Sequence, residues 1–251
     1  MRAPTLEGTI ERRLLINYRV DPEVAVGLLP KPFRPQLTAG WAVAGICLLR
    51  LSELRPLGFP RLVGQRSENV AHRIAVEWDG ADEIRTGVYI NRRDSDSLLN
   101  VAVGGRIFPG EHQRATFTVV ESANEFEIGV RSRDGESNVE VHARVAEALE
   151  GSHLFEDLDA ASRFFQQGSI GFSPRSSVTS LDAMRLSTAA WAMDALSVQS
   201  VSSSYFESLS RFPRGTAALD CGLAMRRIPV QWRDVTTEVT PDFASVVPGA
   251  T

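Results

Sequence analysis

Glu68-Asn-Val-Ala-His-Arg-Ile-Ala-Val-Glu-Trp78 alternates along its whole length. Successive side chains of an extended chain point to opposite faces. Glu68, Val70, His72, Ile74 and Val76 therefore share one side of a strand, and Asn69, Ala71, Arg73, Ala75 and Glu77 share the other. The more apolar side carries a carboxylate and an imidazole. If that side faces an enclosed cavity, Glu68 and His72 point into it. Four strand residues span roughly 13 Å, so the two would meet different parts of a ligand. The plainer reading places both at a frayed strand start, or satisfies them with buried partners.

Upstream, Trp41–Leu51 is apolar on both faces: Trp41, Val43, Cys47 and Leu49 on one, Ala42, Ala44, Ile46 and Leu48 on the other. Such a strand is covered on both sides. A further strand, 9–20, precedes it. Between the two, Asp21-Pro22 offers an N-cap and a first-turn proline for a short helix, and Pro30, Pro32 and Pro35 end it. Gln36–Thr38 reads as a short strand before the Ala39-Gly40 turn, and Arg55–Gln65 as a Pro- and Gly-rich loop. Downstream, Asp79-Gly80 turns the chain into a strand over Thr86–Asn91, with Tyr89 on one face and Val88 and Ile90 on the other. Asp94 or Ser95 can cap a helix over Leu98–Val103.

Next comes Asn100-Val-Ala-Val-Gly-Gly-Arg-Ile-Phe-Pro-Gly-Glu-His-Gln-Arg114. Paired glycines inside an apolar run admit a close backbone or ligand. The Pro109-Gly110 corner then sets Glu111 and His112 before the next strand, with Arg106 just ahead. Three strands follow at regular spacing, Ala115–Val120, Glu125–Val130 and Val139–Ala146, joined by Ser122-Ala-Asn124 and Asp134-Gly135 turns as antiparallel hairpins. His142 falls on the polar face. Asp157 caps a helix whose Leu158, Ala161 and Phe165 form a packing stripe ended by Gly168. Val178–Leu186, Leu196–Phe206 and Ile228–Val235 are the remaining strands, and the tail from Thr240 frays.

With 251 residues, 43% of them apolar, the chain can bury a sizeable core. A formal net charge of -4 argues against nucleic acid as a partner. No signal-peptide core or membrane-spanning run occurs, and the distant Cys47 and Cys221 read as reduced packing residues, so a cytoplasmic location is expected. Histidines 72, 112, 142 and 153 show no metal-ligand spacing, and no P-loop, dinucleotide fingerprint or nucleophile elbow is present; neither metal nor cofactor is expected. Lys31 is the sole lysine, and the other 26 Lys or Arg residues are arginines.

Several of these features resemble one family in their order. They are the Asp-Pro helix ending Leu28-Leu-Pro30, then Ala39-Gly40-Trp41, Glu68-Asn-Val-Ala-His-Arg73, Gly87-Val-Tyr-Ile90, the Gly-Arg-Pro segment 104–109, Phe164-Phe165 and Trp191. The resemblance is to an uncharacterised bacterial branch, domain of unknown function 2071, of the acetoacetate-decarboxylase-like superfamily. It implies a β-rich α+β fold: a single domain over 1–251, a curved, cone-like antiparallel β-barrel with a few peripheral helices, and a small-molecule cavity. It also implies that relatives act on small oxo acids, with a Schiff-base lysine in the true decarboxylases. That lysine would follow a segment like Gly105–Pro109, and here Gly110-Glu-His-Gln-Arg114 stands there without an amine. Lys31, between two prolines, is not expected to replace it. The family's acidic strand residue would carry over onto Glu68.

The expected function is therefore binding of a small organic molecule, with lyase- or isomerase-type acid-base chemistry that needs no lysine. Glu68, His72, Glu111 and His112 are the proton-transfer candidates, since burial can bring Glu and His near neutral pKa. Arg106 would pair with a substrate carboxylate, and Tyr89 and Trp41 would wall the cavity. Arg73 is the weaker arginine on this reading, because alternation sets it opposite His72. Each residue also has a bland reading, as an inter-element tie or an exposed corner. The alternative function is a non-catalytic ligand-binding barrel. No membrane contact is expected, and a homo-oligomer stays open.

Overall fold

The computed structural model describes residues 4–97, 112–174 and 181–239. Its framework is five long strands: β1 (Leu6–Val20), β4 (Trp41–Pro56), β5 (Gln65–Asp79), β6 (Ile84–Ser95) and β13 (Ala217–Asp234). Short β2 (Arg34–Pro35) and β3 (Leu37–Thr38) lie beside them. The rest of the sheet is β7 (His112–Glu121), β8 (Glu125–Ser132), β9 (Asn138–Ala146), β10 (Ile170–Pro174), β11 (Leu181–Ser187) and β12 (Asp194–Ser203).

The pairings close two circuits. One runs β5-β6-β7-β8-β9-β12-β13-β1-β4 and returns to β5. The other runs β6-β10-β11-β13-β1-β4-β5 and returns to β6. The five long strands belong to both, so they form a wall with an enclosed compartment on each side. This is why both faces of Trp41–Leu51 are apolar. Ile46 and Leu48 face the larger compartment with Leu14, Ile16, Phe126, Ile128 and Val141. Val43 and Cys47 face the smaller one with Leu15, Ala71 and Phe165.

The fold is the expected β-barrel with few helices, but it is not wholly antiparallel. β6 pairs in parallel with β10 at Val88 and Tyr89 and with β7 at Arg93 to Ser95. Two outer strands thus branch from one inner strand.

The helices follow their caps. Asp21 accepts from the Glu23 amide at 2.9 Å and Pro22 opens α1 (Pro22–Gly27). Asp157 accepts from the Ala160 amide at 2.7 Å, and α2 (Leu158–Gln167) buries Ala161 and Phe165 against the smaller compartment. α3 (Thr236–Val239) is a single turn. Both hairpin turns near 122–124 and 134–135 form as expected. His142 is half-exposed and meets Glu125 at 2.9 Å. Among the described residues no helix is long and apolar enough to cross a membrane.

Three elements differ from the sequence reading. Residues 55–65 are part strand and part 3-10 turn over Arg61–Val63. β10 was not expected at all. β13 begins at Ala217 and not near Ile228, because its first half is built of small residues that press against β12: a Cβ on Gly222 would meet Val198 Cγ2 at 2.7 Å. The helix expected over 98–103 lies outside the described residues.

Candidate functional site

The smaller compartment holds a cavity of about 110 Å3. That is well below the span typical of drug-sized ligands, roughly 300–1,000 Å3, and suits a small metabolite. Its walls are mostly apolar, with Ile90, Phe165, Met184, Trp191 and Trp232 among them. Three arginines, Arg13, Arg73 and Arg93, reach into this lining together with Asn69 and His112.

The wall positions the arginines. Arg73 is on the odd face of β5 with Ala71 and Ala75, and is 2% exposed. Its Nη2 donates to Asn17 Oδ1 at 2.5 Å, and its guanidinium lies 4.6 Å from the Phe165 ring centre. Nε and Nη1 are buried with no hydrogen-bond partner. Arg13 donates only to sulfur, at 3.4 Å to Cys47 Sγ and 3.6 Å to Met225 Sδ. Arg93 donates to Ser173 Oγ at 3.0 Å. None of the three forms an ion pair among the described residues.

Other arginines of the chain are paired. Arg12, Arg34, Arg50, Arg55, Arg92 and Arg226 each lie against at least one carboxylate. Burial without a counter-charge pushes the pKa of Arg73 down to about 10, and burial does the same to Arg93. Both remain cations at neutral pH. Buried charge without a partner is costly, and an anion arriving in the cavity would offset that cost.

His112 opens β7 beside Arg93, is 8% exposed and lines the cavity. The other expected residues that are described do not line it. Glu68 and His72 do share a face with Val70 and Ile74, as alternation required, but that face belongs to the larger compartment. Both are therefore enclosed, but neither lines the cavity of the smaller compartment. Alternation groups the two residues on one face, but both faces of this wall are interior, so apolarity alone does not mark the cavity side.

Glu68 Oε2 accepts from Arg12 Nη2 at 2.5 Å and its Oε1 from Arg50 Nε; Arg12 and Arg50 also both hold Glu121. Because Glu121 ends β7, this four-residue box ties the shared wall to a strand across the larger barrel. His72 is fully buried, 4.6 Å from the Tyr205 ring, with no hydrogen bond to either nitrogen. Burial first, then Arg92 and Arg211, lower its pKa to about 3. The ring is a neutral core element.

Tyr89 packs toward Phe33, 6.3 Å between rings, on the side away from the cavity. Trp41 lies under Arg19, 5.9 Å from its centroid, and packs on the α2 cluster without lining the cavity. Arg106 and Glu111 lie outside the described residues. Lys31 is exposed. Cys47 and Cys221 are both buried free thiols, and burial pushes Cys221 up to about 12. Among the described residues no group of His, Cys, Asp and Glu could hold a metal.

Sequence reasoning missed Arg13 and Arg93, and it ranked Arg73 behind Arg106. The signal for Arg73 was present: a lone guanidinium between two alanines is as anomalous as an imidazole between valine and isoleucine.

The model of the family designated DUF2071, described as an uncharacterized conserved protein, matches residues 8–214. The chain belongs to this family. No curated protein matches it significantly. Solved structures share the fold of this DUF2071 protein at low identity. An acetoacetate decarboxylase-like enzyme from Sphingomonas wittichii RW1 is 14% identical with a TM-score of 0.57, over 92% of this chain and 91% of that one. The acetoacetate decarboxylase from Legionella pneumophila subsp. pneumophila str. Philadelphia 1 is 11% identical with a TM-score of 0.56, over 92% and 85%. The enduracididine biosynthesis enzyme MppR, complexed with pyruvate, is 12% identical with a TM-score of 0.57, over 94% and 91%. The fold is thus acetoacetate-decarboxylase-like.

Proposed function

We propose that the smaller compartment binds a small organic anion bearing a carbonyl group, an oxo acid, and that His112 exchanges protons with it. The observation that carries the reading is the set of three arginines in an apolar cavity with no carboxylate paired to them among the described residues. Arg73 supplies two unpartnered N–H groups and would take the ligand carboxylate, since a guanidinium binds that group with matched geometry. The apolar walls would exclude water and strengthen the attraction. His112 is the acid-base group of the described lining, and histidine is suited to proton transfer near neutral pH. The chemistry would be of lyase or isomerase type, in line with the pyruvate complex of MppR. Schiff-base formation is left out, because the sole lysine, Lys31, is exposed and away from the cavity.

The test is calorimetric titration with pyruvate and with acetoacetate, using acetone as the neutral control. Saturable binding of the acids, lost in Arg73→Gln and not shared by acetone, supports the reading. Equal response to acetone, or none to either acid, defeats it. Deuterium exchange at the carbon beside the carbonyl, followed by NMR and lost in His112→Gln, would establish the proton transfer. Binding without exchange would leave a ligand-binding barrel. The placement of Glu68 and His72 away from the cavity favours that second reading, because it leaves His112 without a second acid-base group in the described lining.

A further inference from the structure

β6 carries a second irregularity, at the point where its outer neighbours part. β10 pairs with it only at Val88 and Tyr89, and β7 only from Arg93 onward. Between them the register to β5 shifts: His72 faces Arg92 and Arg73 faces Ile90, so Asn91 is an extra, bulged residue. Bulges bend the strand and re-aim a side chain. The parting of β7 from β10 opens a cleft of about 230 Å3 over this bulge.

The cleft differs from the inner cavity in being polar. Asn91, Arg93, Gln113, Ser173, Tyr205 and Arg211 contribute to its lining. Glu136 is the carboxylate of the lining, and it accepts from Arg92, which Asp94 and Asp134 also hold. The two remaining guanidiniums have no acid among the described residues. Arg93 donates to Ser173, and Arg211 lies 5.1 Å from the Tyr205 ring centre. Asn91 Nδ2 donates to the Tyr205 hydroxyl at 2.8 Å, while its buried Oδ1 has no partner.

Two unpaired cations call for an anion, and an unpartnered acceptor beside them calls for a donor. A carboxylate supplies only acceptors. A hydrogen phosphate supplies acceptors for Arg93, Arg211 and Gln113 and one O–H for Asn91 Oδ1.

We propose that this cleft is a binding site for a phosphoryl group, clamped between Arg93 and Arg211 over the bulged Asn91. The site is separate from the oxo-acid cavity but shares Arg93 and Ile90 with it. An occupant of the cleft therefore draws on the same guanidinium that faces the inner ligand, and the two sites are coupled through that residue.

The full chain is titrated with inorganic phosphate, methyl phosphate and acetate in separate series. Binding is followed by NMR on arginine Nε–H and glutamine side-chain amide signals. The expected result is saturable shifts at Arg93, Arg211 and Gln113 with phosphate. Arg211→Gln should weaken phosphate about tenfold or more, as loss of one charge-assisted contact does. Gln113→Ala should weaken it less, and Arg73→Gln should leave it unchanged. Methyl phosphate binding as well as the free ion assigns the cleft to a ligand's phosphoryl group; clearly weaker binding assigns it to free phosphate. The proposal is overturned if phosphate shifts do not saturate, if acetate binds equally well, or if Arg211→Gln, an exposed change, has no effect. Absence of pyruvate binding to the unsubstituted chain, with phosphate binding intact, would sink the oxo-acid reading alone.

Discussion

His72 and Arg73 are consecutive residues that point into two different compartments. His72 faces Tyr205 inside the larger barrel, and Arg73 faces Phe165 inside the smaller one. One pleat of β5 thus separates a neutral core imidazole from the guanidinium best placed for a ligand. The consequences of exchanging each residue should differ in kind.

Replacing Arg73 by Met removes a buried cation that lacks an acidic partner, which favours folding. The same change leaves Asn17 Oδ1, fully buried, without its donor, which opposes it. Each effect is about 1–3 kcal/mol, so the net change in stability should stay within about 2 kcal/mol in either direction. Pyruvate affinity should fall at least about tenfold. Urea unfolding and calorimetry on one preparation check both, and an unchanged affinity would remove Arg73 from the site.

His72 should make the fold acid-sensitive. Its pKa is depressed to about 3 in the folded protein, so between that value and the ordinary value near 6.5 the unfolded chain binds a proton that the folded chain does not. Stability from this residue is complete above about pH 6.5 and declines as pH falls, by at most about 1.4 kcal/mol per unit, until about pH 3. His72→Leu should flatten that part of the profile. Unfolding midpoints at pH 4, 5, 6 and 7 for both proteins decide it, and parallel curves would contradict the assignment.

Glu68→Gln should weaken the box that crosses the larger barrel. Arg12, 3% exposed, would keep only Glu121 as an acidic partner. A loss of about 2–3 kcal/mol is expected, below the 3–5 kcal/mol of a fully broken buried pair because Glu121 remains. Pyruvate affinity should not change. A variant of normal stability and reduced affinity would instead make Glu68 part of the site.

Lys31 should be inert. Borohydride treatment in the presence of pyruvate or acetoacetate should leave its mass unchanged, and Lys31→Met should bind both acids normally. A stable adduct on Lys31, with activity lost, would restore Schiff-base chemistry.

Much of the framework was legible because alternation has a fixed period. β5, the hairpins of β7 to β9, and the caps at Asp21 and Asp157 were all readable from neighbouring residues. Trp41–Leu51 even announced that it is covered twice. What alternation could not say is which covered face encloses the small cavity, since that depends on β10 and β11 closing a second circuit. β10 carries Gly171 and Pro174 within five residues and reads as a loop. Arg93 was invisible for a related reason: the bulge at Asn91 shifts the phase, so counting from Tyr89 assigns it to the wrong side. His112, which lines the cavity, was a candidate from sequence because Pro-Gly precedes it there.

The shared wall also has a consequence in time. Its first strand, β1, finds its longest partner in β13, with Leu6 opposite Trp232 and Val20 opposite Ala217. During synthesis β1 therefore leaves the ribosome with one edge unpaired, and β4 can cover only the other. Neither compartment can close until β13 has been made. Contacts this distant in sequence slow folding and lengthen exposure of an open apolar edge. Nascent chains stopped before Ala217 should accordingly be held by chaperones or aggregate, and release of β13 should convert them to the native state in one late step.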